Sequence, residues 1–289
     1  MLKIYTDTDT DILPEDAKKY GYKVISMPYI VNGEEIKPYE DFEVFEYAEF
    51  YNRLRNELLP KTCAISSEEY KRYFEEDFKQ GNEILYVHFS RAMSGTFNAM
   101  EIAVKELKEK YPNAKFYTVD TKGITILSNI IVKEIGDLYL EGKGIEEILK
   151  WAEENVDKYA TYFFADSLSF FAKSGRISNF SKVMGTLIGV KPIIYMDAKG
   201  TMTNIGKEIG RIKAMNKLIS YFDELAVEPT KHRIVIGHAD ALDMAKDLGN
   251  KLNEKYNNEL NIEYVVVNPT AGSHCGPDTI GIAFFAKHK

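Results

Sequence analysis

Cysteine is nearly absent from this chain of 289 residues. Cys63 and Cys275 stand far apart, which excludes a disulfide framework and a zinc site of clustered thiols and predicts two buried, reduced thiols. No apolar run approaches the roughly 20 residues that a membrane-spanning helix needs, so no integral membrane segment is expected. Residues 1–6 lead straight into a strand without the basic and apolar regions of a signal peptide, and the expected location is the cytoplasm. Basic charge is not in excess: 37 Lys and Arg face 44 Asp and Glu, a net −7 spread over helical faces such as residues 101–110. That distribution argues against nucleic acid as a partner. Repeats, low-complexity tracts and flexible linkers are also missing. What remains is 45% hydrophobic residues, enough for the core of a soluble globular protein with one large domain or two lobes.

Strand-like runs at residues 3–6, 83–89 and 115–119 alternate with helical patterns at 68–78, 94–111 and 124–140, the signature of a parallel α/β unit. After a helix at 145–156 the alternation resumes, with strands at 160–165, 191–196, 233–237 and 262–267 and helices at 212–225 and 242–256. The expected fold class is α/β, with two α/β lobes of mainly parallel sheets, residues 1–157 and 158–289, packed around a cleft.

Several constellations could carry chemistry. In His88-Phe89-Ser90-Arg91-Ala92-Met93-Ser94-Gly95-Thr96-Phe97 a strand hands over to a helix whose apolar face is Phe97, Met100, Val104, Leu107 and Tyr111. Ser94 occupies the expected N-cap. Its hydroxyl, the free helix N–H groups and Gly95 favour a carboxylate or phosphate there, although a serine can equally well cap its own helix. Asp7-Thr8-Asp9-Thr10-Asp11 after the first strand invites a metal. The EF-hand form fails, because Ile12 stands where glycine is needed and Lys18 where a bidentate glutamate is needed. A magnesium-dependent phosphotransferase using Asp7 and Asp9, with Asp240 and Asp243 holding the metal, is the alternative enzymatic reading. The bland reading is that these side chains turn and cap the chain. Thr62 is expected on an extended loop segment, with Ser67 capping the helix that follows. Arg176, after Gly175, borders an apolar neighbourhood that includes Phe163, Phe164, Leu168, Leu187, Ile188, Ile193 and Ile194, most of it core. His274 is expected in a glycine-flanked loop beyond the last parallel-type strand, where open α/β sheets bind ligands. It could act as a base, as a donor to an anion, or not at all. Without a Gly-x-Ser-x-Gly elbow a hydrolytic triad is poorly supported, and binding is the more economical role.

Taken in order, these segments resemble the DegV family of fatty-acid-binding proteins, which includes the acyl-carrying subunits of bacterial fatty-acid kinase. The resemblance spans residues 3–287 and is carried by Thr6-Asp7-Thr8-Asp9-Thr10-Asp11-Ile12-Leu13-Pro14, Thr62, Met93-Ser94-Gly95-Thr96-Phe97, Ser174-Gly175-Arg176-Ile177-Ser178, Lys191-Pro192 with Gly200, and Gly272-Ser273-His274-Cys275-Gly276-Pro277. It implies a long-chain fatty acid such as palmitate buried between the lobes. The carboxylate would meet Thr62 and Ser94, with His274 and Arg176 near the head group. It further implies a fatty-acid kinase catalytic subunit as partner, no cofactor beyond the lipid ligand, and a carrier in place of a catalyst. Cys63-Ala64-Ile65 departs from the family's Ser-Gln-Pro, Asp120-Thr121-Lys122-Gly123 lacks the usual serine-rich continuation, and Ile209 stands where an arginine often occurs. The last departure bears on kinase docking more than on lipid binding.

Overall fold

The computed structural model describes residues 1–56, 58–174, 177–178 and 189–289. Its first half runs β1 (Leu2–Asp7), α1 (Pro14–Tyr20), β2 (Tyr22–Ile25), β3 (Tyr29–Val31), β4 (Glu34–Ile36), α2 (Tyr47–Arg55), β5 (Lys61–Thr62), α3 (Ser67–Lys79), β6 (Glu83–His88), α4 (Thr96–Lys110), β7 (Lys115–Asp120), α5 (Ile126–Leu140) and α6 (Ile145–Asn155). The second half runs β8 (Tyr159–Phe164), α7 (Ser169–Ser174), β9 (Ile177–Ser178), β10 (Val190–Met196), β11 (Met202–Ile209), α8 (Arg211–Leu225), β12 (Arg233–His238), α9 (Leu242–Lys255), β13 (Asn261–Val266), α10 (Pro269–Cys275) and β14 (Ile280–Phe285).

The first sheet has the order β2-β1-β6-β7 and is parallel throughout. Its central strand β6 is apolar on both faces, as a strand covered by helices on either side must be. Ile84 and Tyr86 join Tyr70 and Phe74 of α3 and Phe97 and Met100 of α4. Leu85 and Val87 point the other way, into the cluster that holds Ile130, Ile131 and Ile135 of α5.

The second sheet, β13-β12-β14-β8-β10-β11-β9, corrects the expectation of mainly parallel pairing. Only β12–β13 and β9–β11 are parallel; β12–β14, β14–β8, β8–β10 and β10–β11 are antiparallel. Two features produce this. β14 returns between β12 and β8. β10 and β11 form a hairpin, whose short connection permits only antiparallel pairing, closed by Asp197 accepting from the N–H groups of Lys199 and Thr201 at 2.9 and 3.0 Å. The sequence concealed β11 because Thr203, Asn204, Gly206, Lys207 and Glu208 interrupt its few apolar residues, of which Ile205 and Ile209 face solvent. A small antiparallel sheet, β4-β3-β5, sets Thr62 opposite Tyr29.

α5 packs against β8, β12 and β14 as well as lying behind the first sheet. Leu127, Ile130, Ile131, Val132 and Ile135 are fully buried, the pattern of a helix enclosed on most sides. Ion pairs fix its position: Arg233 of β12 meets Glu134 at 2.8 Å, Asp137 at 2.9 Å and Glu263 at 2.7 Å, and Lys133 meets Asp16 at 2.8 Å and Glu263 at 2.7 Å. At the start of α5, Ile126 rests on Gly237 and Gly281, which face each other across β12 and β14. A Cβ on Gly237 would lie 2.5 Å from Ile126 Cγ2, and one on Gly281 would lie 2.9 Å from Phe163 Cβ. The two glycines therefore let helix and sheet approach within side-chain contact.

Candidate functional site

Strands of the first sheet end at a cavity that opens among β5, the start of α5, α10 and the second sheet. It holds about 960 Å³ of atom-free space, the open solvent at its mouth included. Met27, Phe89, Met93, Ile124 and Ile126 wall it from the first half; Phe163, Phe171, Met196, Met202 and Val267 wall it from the second. Unbranched methionines among aromatic rings make a lining that can adapt to an irregular or flexible ligand. Cys63 and Cys275 line it as free thiols, and only Cys275 is buried as expected, Cys63 being half-buried.

The polar residues of this wall include Thr62, Ser94 and His274, although they lie far apart in sequence. Thr62 belongs to β5, and its Oγ1 is 3.0 Å from His274 Nε2. His274 stands on α10, where a loop was expected. The helix starts with Pro269 in its first turn, while the Asn268 side chain accepts from Ala271 N–H at 2.9 Å. Asn-Pro ahead of Thr-Ala is a legible start signal. Gly276, at φ +74° with Phe170 within 2.3 Å of any Cβ, closes the helix.

Ser94 is displaced by one position from its expected place. Gly95 is the N-cap of α4, and Ser94 precedes it in extended conformation. Its Oγ nevertheless accepts from Thr96 N–H at 3.2 Å. The hydroxyl thus lies at the positive end of α4 with its own proton available to a ligand. Likewise Ser66, one residue before the expected Ser67, caps α3 by accepting from Glu69 N–H at 3.1 Å. Arg176 lies outside the described residues, as do Gly175, Leu187 and Ile188.

The aspartates after β1 are buried in a turn. Asp7 accepts from Tyr86 Oη at 2.9 Å, Phe89 N–H at 3.3 Å and Asp9 N–H at 3.0 Å. Asp11 accepts from the backbone and side-chain nitrogens of Asn268 at 2.9 and 2.6 Å. Loss of water raises the carboxyls of Asp7 and Asp11 to about 7. Asp9 is raised well above the usual carboxylate range by burial, then by the charges of Asp7 and Asp11. Asp240 is engaged elsewhere, at 2.5 Å from Arg55 Nη1, and Asp243 lies in the first turn of α9. The magnesium arrangement of Asp7, Asp9, Asp240 and Asp243 is therefore not assembled, and no cluster of three His, Cys, Asp or Glu suited to a metal ion occurs among the described residues.

Sequence reasoning missed Thr125, which lines the cavity at φ 53° just ahead of α5. A β-branched residue rarely takes a positive φ, and such strain concentrates at ligand sites. Met196, Met202, Gly237 and Gly281 were missed as well, because nothing local marks a residue that reaches a cavity only through sheet order.

The family profile described as "Uncharacterised protein, DegV family" matches residues 1–287. The chain belongs to the DegV family. A DegV domain-containing protein of Clostridium perfringens is 34% identical over 287 residues, covering 99% of this chain and 98% of that one. Among solved structures, a DegV family protein from Eubacterium eligens loaded with heptadecanoic acid has a TM-score of 0.85 at 21% identity, covering 99% of this chain and 100% of that one. A stearic-acid-binding protein from Eubacterium ventriosum has a TM-score of 0.85 at 21% identity, covering 98% and 97%. The DegV fold thus extends through the whole chain. No helix among the described residues is long and apolar enough to cross a membrane.

Proposed function

We propose that this DegV protein binds one long-chain fatty acid, such as palmitate, in the cavity between residues 1–157 and 158–289, taken as two lobes. The observation that carries the reading is a cavity with an apolar wall from both halves, into which Thr62, Ser94 and His274 bring polar atoms. In this reading the tail lies along Phe89, Met93, Phe163, Met196 and Met202, and the carboxylate takes hydrogen bonds from Ser94 and from the Thr62–His274 pair at the positive end of α4. The fatty acids held by the Eubacterium proteins of the same fold support it. Arg176 completes the proposed head-group set on the strength of the sequence motif alone.

At about 0.8 kcal/mol per buried methylene, a 16-carbon chain contributes about 11 kcal/mol before the cost of association. Hydrogen bonds to the carboxylate add about 1.5–3 kcal/mol each. The tail therefore sets affinity, and the polar group sets which end enters. Shielding the tail while leaving the carboxylate near the mouth suits a cytoplasmic carrier that presents the acid to a fatty-acid kinase catalytic subunit. Mass spectrometry of an organic extract of purified protein tests the reading: stoichiometric acyl species are expected, whereas a clean extract together with failure to bind added palmitate overturns it. Mixing loaded protein with ATP and a DegV-compatible kinase tests the partnership separately; absence of acyl phosphate would remove the kinase and leave the lipid.

A further inference from the structure

Asp9 is a polar residue of the cavity wall that the reading above leaves without a task. Its backbone is fully used: N–H donates to Asp7 Oδ1 at 3.0 Å and C=O accepts from Thr125 N–H at 2.7 Å. Its side chain is not. Asp9 is 5% exposed, it lines the cavity, and no donor reaches Oδ1. Three threonines of the wall differ in this respect, because their hydroxyls are spent within the protein. Thr161 donates to Ile282 C=O at 3.0 Å, Thr270 to Met27 C=O at 2.9 Å and Thr279 to Cys275 C=O at 3.0 Å. Those threonines offer a ligand little beyond methyl groups, whereas Asp9 offers an unpaired carboxyl. A buried polar group left opposite methylenes is a standing penalty, and native proteins seldom keep one without a partner.

We propose, building on the fatty-acid reading, that Asp9 is a second polar anchor in the cavity, which selects acyl chains bearing a neutral oxygen, a hydroxyl or an oxo group, at the position that meets it. An ionised head group is disfavoured at this place, a buried turn shared with the Asp7 and Asp11 carboxyls, while the positive end of α4 beside Ser94 attracts it. Burial, and then the neighbouring carboxyls of Asp7 and Asp11, raise the Asp9 carboxyl well above the usual carboxylate range and so favour its protonated form. A carboxylic acid both donates and accepts, which matches a hydroxyl in full and an oxo group through the donor alone. A chain with no oxygen beyond its carboxyl group satisfies neither capacity. Sites built around a hydrogen bond discriminate chiefly by the cost of leaving their own group unpaired.

The test is calorimetric binding to delipidated protein of hexadecanoic acid and of hydroxyhexadecanoic acids with the hydroxyl stepped along the chain. At one position the hydroxy acid is expected to bind about tenfold more tightly than hexadecanoic acid. Asp9→Leu should erase that preference and tighten hexadecanoic acid, and Asp9→Asn, which still donates and accepts, should retain it. A purely structural role would lower the thermal midpoint of both variants and leave the ratio of affinities unmoved. Hexadecanoic acid binding well with no preference at any position, or a preference that survives Asp9→Leu, overturns the anchor and leaves the fatty-acid reading standing. Failure of every acid to bind overturns both. Should Asp9→Leu not fold, the wild-type series and Asp9→Asn decide the matter.

Discussion

One hydroxyl at position 94 governs register more than affinity, because about 11 kcal/mol of gross tail burial stands against one charge-assisted hydrogen bond. Ser94→Ala is expected to weaken fatty-acid binding about tenfold without abolishing it, as read by calorimetry; loss of all detectable lipid by a folded variant would contradict that division of labour. The buried aspartates have a different consequence. Asp11 rises from 3.8 to about 7 on folding, so between those values the folded state holds a proton that the unfolded state has lost. Its contribution to stability is therefore complete below about 4 and is lost as pH rises to about 7. His88, buried and pushed down to about 4, acts in the opposite sense between about 4 and its ordinary 6.5, so the informative quantity is a difference. Urea unfolding of Asp11→Asn and its parent should show the variant gaining on the order of 2–4 kcal/mol relative to the parent between pH 4.5 and about 7.5. A pH-independent difference would show that Asp11 is ionised in the folded protein.

At the scale of elements, α5 is the piece on which both halves close. Its first residue rests on two glycines facing each other on β12 and β14, and the ion pairs of Arg233 and Lys133 hold the helix behind. Gly237→Ala would drive a methyl to 2.5 Å from Ile126 Cγ2. We expect it to cost about 1–3 kcal/mol in denaturant unfolding and to reduce fatty-acid affinity, since Ile126 and Gly237 both line the cavity. Unchanged stability would mean that α5 can slide away from the sheet. The ends of elements also show where local pattern stops. Strand β6 and helix α3 are found within a residue of their expected limits, because alternation and helical periodicity are local. The caps expected at Ser94 and Ser67 were misplaced by one residue each, since a serine pair or a serine next to glycine offers two nearly equal caps and packing chooses between them.

For the molecule as a whole, an apolar cavity of this size is a cost in the free protein that a bound tail relieves. Saturating ligand at 100 times its dissociation constant adds about 2.7 kcal/mol, which for a chain of this length should raise the thermal midpoint by about 5–10 °C. Differential scanning of delipidated and palmitate-loaded protein checks this. A midpoint that does not move, with binding shown independently, would mean that the lipid binds the unfolded chain equally well.

The sequence by itself determined the α/β class, the two successive runs of strand and helix, and Thr62, Ser94 and His274 as candidates. These depend on periodicity within a dozen residues, or on motifs that survive as contiguous letters. Tertiary structure decided the antiparallel return of β14, the helical setting of His274, the 3.0 Å approach of Thr62 to His274, and the exposure of Asp9 to the cavity. Thr62 and His274 are separated by 212 positions along the chain, and no local propensity acts over that distance. Their meeting is fixed by the order of strands in two sheets, which a chain settles only by burying α5 between them.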